Sequence, residues 1–190
     1  MKVKSMETLS CDAGWRNYHF VKLTTDTGII GWSEFDEGFG APGVGTVIER
    51  LSARVVGQEV SAHERIYAEL HSATRPASGG IVALAMGAIE NALLDAKARG
   101  LGVPVYELLG GKIRDRIRVY WSHCATWRIM ETDIDRIAWD HELFDHVPEF
   151  VDGHLVMPNR PGWGIVPNEE AIRAHPPKGP QGLLSYGRKV

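Results

Sequence analysis

Residues 81–99 constrain this chain more than any other stretch. Ile81, Leu84, Ala85, Ala88, Ile89, Ala92, Leu93 and Ala96 recur at helical spacing and make an apolar face too broad for a surface helix. A helix of that kind is covered on most of its circumference, so the remainder of the chain must supply the covering layers. Lys97 and Arg99 place cations near the negative helix end, and Gly100 is the expected C-terminal stop.

The first 34 residues offer one such layer. Residues 20–25 alternate apolar and polar side chains, the period of a half-buried strand. Asp26-Thr27-Gly28 has turn chemistry, and residues 29–34 resume as the partner strand of a hairpin. Residues 3–9 supply a third strand. Residues 11–17 are expected to form a short polar loop carrying Trp15.

Further helices are expected at 46–56, at 61–70 behind a Ser61–Glu64 capping box, and at 105–109 before Gly110-Gly111. Residues 116–124 and 127–135 read as strands. From Trp139 onward the chain is irregular, around a hairpin turning at Asp152-Gly153 and a helical turn at 169–175.

Composition excludes several classes. Lys+Arg 21 against Asp+Glu 24 leaves no basic excess for a phosphate backbone, so nucleic acid is not an expected partner. Two cysteines, Cys11 and Cys124, are too few for a disulfide framework. The longest apolar run, 81–89, is far short of the roughly 20 residues of a bilayer span. A cytoplasmic protein without membrane contact is expected. The 190 residues are also fewer than the ~250 that a (β/α)8 barrel alone occupies.

Several motifs invite a chemical reading. The glycine-rich stretch 35–45 lacks both phosphate-binding glycine signatures and reads as a surface loop or a closing lid. His141-Glu142 and His146 resemble a zinc-protease motif. Their spacing of five, however, puts the two imidazoles about 140° apart on a helix. Glu131, Asp133 and Asp135 share one strand face, as hard oxygen ligands for a cation or as a solvated edge. Neighbouring His123 and Cys124 point to opposite faces of a strand, so they do not form a nucleophilic pair.

One combination is more specific. Residues 88–111, AIENALLDAKARGLGVPVYELLGG, resemble the signature helix and turn of the mandelate racemase/muconate lactonizing group of the enolase superfamily. Residues 28–34, GIIGWSE, resemble its second-strand motif. Residues 151–165 resemble its closing segment, and residues 127–135 the stretch before that. The resemblance implies an α+β fold. It comprises a capping domain (a three-stranded antiparallel meander plus helices) at 1–112 and a first-barrel-strand remnant at 113–126. A last strand and closing segment follow at 127–176, with a disordered tail at 177–190.

The resemblance also implies that loops 11–17 and 35–45 close over substrate. Trp15 and Arg16 then touch a substrate carboxylate, and Ser122 and His123 stand at the active-site end of the first barrel strand. Family chemistry is Mg²⁺-dependent proton abstraction α to a carboxylate, as in acid-sugar dehydratases and racemases. The wording around Trp139 and residues 161–164 sits closer to the dehydratases.

The departure lies between Ala125 and Trp127, where most of the catalytic barrel is missing. No residue matches the Mg²⁺ ligands or the catalytic bases. The chain itself is therefore expected to be inactive, with no catalytic and no metal-binding residues to name. The alternative is a non-catalytic capping fragment acting as an interaction module, and a weaker one is a new metal site on Glu131, Asp133 and Asp135. An apolar patch and an open strand edge, left by the missing barrel, favour homo-oligomers.

Overall fold

Alternation in the first 35 residues produces a meander of β1 (Val3–Asp12), β2 (Asn17–Thr25) and β3 (Ile30–Phe35), all antiparallel and in that order. The computed structural model describes residues 1–14, 16–38, 41–121, 130–132 and 139–178. For residues 120, 121, 130–132 and 140 the description stops at the backbone.

One face of the meander carries Val3, Val21, Leu23 and Phe35. It packs on α1 (Val44–Val55), α2 (His63–Ala73) and the long α3 (Gly80–Leu101). Contact between β3 and α3 is close because Gly31 has no side chain. A Cβ there would stand 2.2 Å from the Ala92 carbonyl oxygen and 2.8 Å from the Ala96 Cβ. The alanines of the α3 signature are therefore the counterpart of the glycine in the strand motif.

The opposite face carries Leu9, Cys11, Phe20 and Trp32. It is covered by the C-terminal segment, through Leu143 of α5 (Asp140–Leu143) and Ile172 of α6 (Glu169–Ala174). The sheet is thus the middle of three layers, with apolar side chains on both faces.

A second, smaller sheet has the order β5-β4-β7-β6. It contains β4 (Arg116–Trp121), β5 (Met130–Thr132), β6 (Phe150–Val151) and β7 (His154–Val156). β4 runs parallel to β5, with Val119 opposite Met130, and antiparallel to β7. The β6–β7 turn places Asp152 at φ 49° and Gly153 at φ 72°, as a two-residue hairpin loop of the Asp-Gly kind requires.

Three expectations are revised. Cys11, Asp12 and Asn17 belong to strands, so the first loop narrows to 13–16. The Ser61 capping box does not form: Val60–Ala62 is a 3-10 turn and α2 starts at His63 without a side-chain cap. Val60 is fully buried and its N–H is bonded to the Met1 carbonyl, so tertiary contact sets that helix start. Gly100 does not end α3 either. It packs against Met1, and Gly102 at φ 72° takes the C-cap. The helical turn at α4 (Val105–Leu108) forms as read, whereas α5 lies in a stretch expected to be irregular.

The C-terminal segment is fastened at one buried point. Asp95 of α3 is fully buried and accepts three hydrogen bonds, from Trp32 N–H (2.9 Å), Trp163 N–H (2.8 Å) and Arg99 Nε (2.7 Å). Arg99 also donates to the Ile165 carbonyl. Gly162, at φ 72°, brings the chain so close that a Cβ would lie 2.1 Å from Asp95 Oδ1. By contrast, the ion pairs of Lys22 with Glu7 and Glu169, and of Arg173 with the same two carboxylates, lie at the surface.

Asp95→Ala should lower stability by about 3 kcal/mol, because it strands a cation and two N–H groups. Glu169→Ala should cost less than about 1 kcal/mol. Urea unfolding of the two variants checks the difference, and equal losses would refute the clasp.

Candidate functional site

Two loops stand at one end of the meander. In the first, Asp12 Oδ1 accepts from Gly14 N–H (3.0 Å), and Ala13 N–H reaches the Arg16 carbonyl (2.7 Å). Gly14, at φ 80°, supplies the left-handed residue that this tight turn requires. The other Asp12 oxygen holds Lys178 at 2.6 Å, which keeps the carboxyl below its usual pKa. The turn places Arg16 beside β3, 3.5 Å from Glu34 and 4.7 Å above the Tyr18 ring. Half of the Glu34 side-chain surface reaches solvent. The surrounding protein nevertheless desolvates its carboxyl and raises its pKa, against the opposing effect of Arg16.

The second loop follows β3. Asp36 accepts from Gly38 N–H, while Glu37 accepts from the N–H groups of Gly43 and Gly45. Glu37 thereby does for α1 what its N-cap glycine cannot, filling donors at the positive helix end. The glycine-rich stretch therefore has its anion already, as a carboxylate of the chain itself. Under this loop lies His19, 8% exposed, with Nδ1 2.7 Å from Ser10 Oγ. Burial lowers its pKa, with Glu37 and Asp36 opposing.

On the far side of Glu34 a cleft of about 330 Å³ opens between β3, α3 and the C-terminal segment. Phe20, Trp32, Phe144 and Trp163 supply its aromatic walls, and Ser33, Glu34 and Asn91 its polar residues. Trp163 is held there by its backbone bond to Asp95 and by an indole N–H bond to the Asn91 carbonyl (3.3 Å).

Of the residues singled out in the sequence, Arg16 is in this region, and Trp15, Ser122 and His123 lie outside the described residues. Asp133 and Asp135 do too, and Glu131 is described only as backbone of β5. Among the described residues, no three His, Cys, Asp or Glu side chains converge to hold a metal ion. His141 is exposed on the short α5, and His146 lies beyond the helix end. Cys11 is buried in the sheet, which raises its thiol pKa to about 11 and leaves it unreactive. Sequence reading missed Asp95, Glu37 and the cleft. The buried acid four residues before an arginine, inside an apolar helix, was the available signal for Asp95. Among the described residues no helix is long and apolar enough to cross a membrane.

Residues 5–110 match the family profile of the mandelate racemase/muconate lactonizing enzyme N-terminal domain. D-galactonate dehydratase of Pectobacterium atrosepticum is 37% identical over 120 residues, which are 63% of this chain and 31% of that enzyme. The chain thus spans about a third of the length of the curated relatives it matches. Among crystal structures, a galactarate dehydratase candidate from Agrobacterium radiobacter with sodium and L-malate superposes over 63% of this chain and 30% of its own. The TM-score is 0.59 and the identity 30%. A candidate L-alanine-DL-glutamate epimerase from Burkholderia xenovorans, bound to magnesium and fumarate, superposes over 100% of both chains, with TM-score 0.94 and 32% identity.

The pH dependence of folding follows from His19. Its pKa is lower in the folded state than the ordinary 6.5, so the unfolded chain binds the extra proton. The stability it contributes is complete above pH ~6.5 and is lost as pH falls through the folded pKa. His19→Asn should flatten the pH dependence of the urea midpoint below pH ~6.5. An unchanged slope would refute this reading.

Proposed function

The chain belongs to the mandelate racemase/muconate lactonizing enzyme family of the enolase superfamily, and from that premise we propose that it is a shortened member. In this reading the chain keeps the carboxylate-binding cap and does not itself abstract the α-proton.

The observation that carries this reading is the β4–β5 pairing. The two strands are parallel neighbours, in register from Val119↔Met130 to Trp121↔Thr132, with residues 122–129 between them. First and last strands of a closed barrel are neighbours of this kind. Eight residues hold no room for the intervening strands, which by resemblance bear the family's metal ligands and bases. The described residues do not fit a magnesium site either.

What the cap offers is Arg16. A guanidinium with an internal carboxylate at 3.5 Å can exchange that partner for a ligand carboxylate, gripped through two N–H groups. Trp15 adjoins it in sequence, and Ser122 and His123 follow β4, so these three complete the proposed contacts. The magnesium- and fumarate-bound Burkholderia protein and the L-malate-bound Agrobacterium protein support a small carboxylic acid as ligand. The fit to D-galactonate dehydratases supports an acid sugar. The Burkholderia protein, alike in full extent, also favours a second reading in which Glu131, Asp133 and Asp135 hold Mg²⁺.

Calorimetry and a 2-keto-acid assay test both readings. Fumarate or galactonate should bind without turnover in Mg²⁺ buffer, and Arg16→Met should weaken binding at least about tenfold. Turnover above background would overturn the proposal. Stoichiometric Mg²⁺ binding that is lost in Asp133→Ala would establish the second reading.

Leu101, Leu109 and Ile113 are large apolar side chains exposed between the end of α3 and the start of β4, and we propose that they associate copies of the chain. Light scattering should give a concentration-dependent mass that Ile113→Lys reduces. A monomer at all concentrations would refute association.

A further inference from the structure

The aromatic cleft beside Glu34 has a composition that the carboxylate-binding reading does not use. Four rings, those of Phe20, Trp32, Phe144 and Trp163, surround a space of about 330 Å³, at the lower end of small-molecule sites. Among the described residues its lining contains one ionisable group, and that group is acidic. Trp163 is 40% exposed although its backbone is clamped by Asp95, so a large apolar ring is presented to solvent by a rigid support.

Aromatic faces carry negative electrostatic potential, and a carboxylate at the rim adds to it. Such a surface attracts an organic cation and repels an anion. Arg16 already satisfies one side of Glu34 from outside the cleft, at 3.5 Å, as one long contact with a half-exposed carboxylate. Glu34 also lines the cleft together with the rings. The geometry points to a binding site for a protonated organic amine, its apolar body on Phe144 and Trp163, over the buried rings of Phe20 and Trp32, and its ammonium donating to Glu34.

This site and the Arg16 site are coupled through one carboxylate. A ligand carboxylate on Arg16 releases Glu34 toward the cleft, so the acid and the amine assist each other. Conversely, when no acid is bound, Arg16 competes with the amine for Glu34. The raised pKa of Glu34 adds that the carboxylate needed for binding is lost on acidification sooner than for an ordinary glutamate.

Calorimetric titration of the full chain with benzylamine, benzyl alcohol and benzoate tests the proposal, since the three share one body and differ in charge. Benzylamine should bind about tenfold or more tightly than benzyl alcohol, and benzoate least. Glu34→Gln should erase the amine's advantage and its loss at low pH while leaving the alcohol unchanged. Trp163→Leu should weaken both, with the urea midpoint confirming that the variant is folded.

Arg16→Met should tighten benzylamine binding while weakening fumarate, so failure of one reading is distinguishable from failure of the other. Nα-acetyl-lysine methylamide separates two sources of the cation: binding equal to that of benzylamine indicates a peptide side chain, weaker binding a free amine. Equal affinity for amine and alcohol, preference for benzoate, or no binding by any of the three would overturn the proposal.

Discussion

Asp95 is the point on which the three layers depend. It sits on the helix layer, takes an N–H from the sheet at Trp32, and takes another from the C-terminal segment at Trp163. Desolvation raises its pKa, so burial itself works against the charged form, and Arg99 with the two N–H groups opposes that effect. The value of such a group is positional. Apolar burial on either face of the sheet would tolerate small slides of one layer over another. Three directed bonds to one carboxylate do not, and they set where Trp163 stands over the cleft.

Much of this was legible in the sequence because short-range rules suffice for it. Strand alternation around residues 20–25, the broad apolar face of 81–99 and the Asp152-Gly153 turn each follow from periodicity or backbone preference. The resemblance of residues 28–34 and 88–111 gave the cap, and it becomes physical in the Gly31–Ala92 contact, where two motifs far apart in sequence prove to be the two sides of one approach. What was not legible depends on contacts across many residues. Ser61 looked like a cap, yet buried Val60 and its bond to Met1 set the local conformation. Gly100 looked like a stop, yet Met1 lies against it. Glu37 gave no sign of capping α1, because the capping reaches across a loop.

The candidate site was legible only in part. Arg16 follows from the resemblance, which makes residues 11–17 a loop over substrate, and the structure brings it to Glu34. The aromatic cleft draws Phe20 and Trp32 from the meander, Asn91 from α3, and Phe144 and Trp163 from the C-terminal segment. No local pattern brings these together. Only the clasp at Asp95 and the docking of Leu143 and Ile172 do so. The part of the proposed site contributed by Trp15, Ser122 and His123 lies outside the described residues.

The parallel neighbours β4 and β5 also bear on how chain length relates to architecture. A closed ring of strands has a beginning and an end only along the chain; in space its first and last members are as much a pair as any other two. In the shortened ring proposed above, joining them directly would leave their mutual hydrogen bonds in the original direction, and the parallel register of Val119–Trp121 with Met130–Thr132 is the one such a joint requires. A ring can therefore be shortened at its seam with less disturbance than an open sheet cut at an arbitrary place. On that proposal, a cap whose own core lies elsewhere would keep its fold while the seam strands β4 and β5 stay paired at the margin of the small sheet.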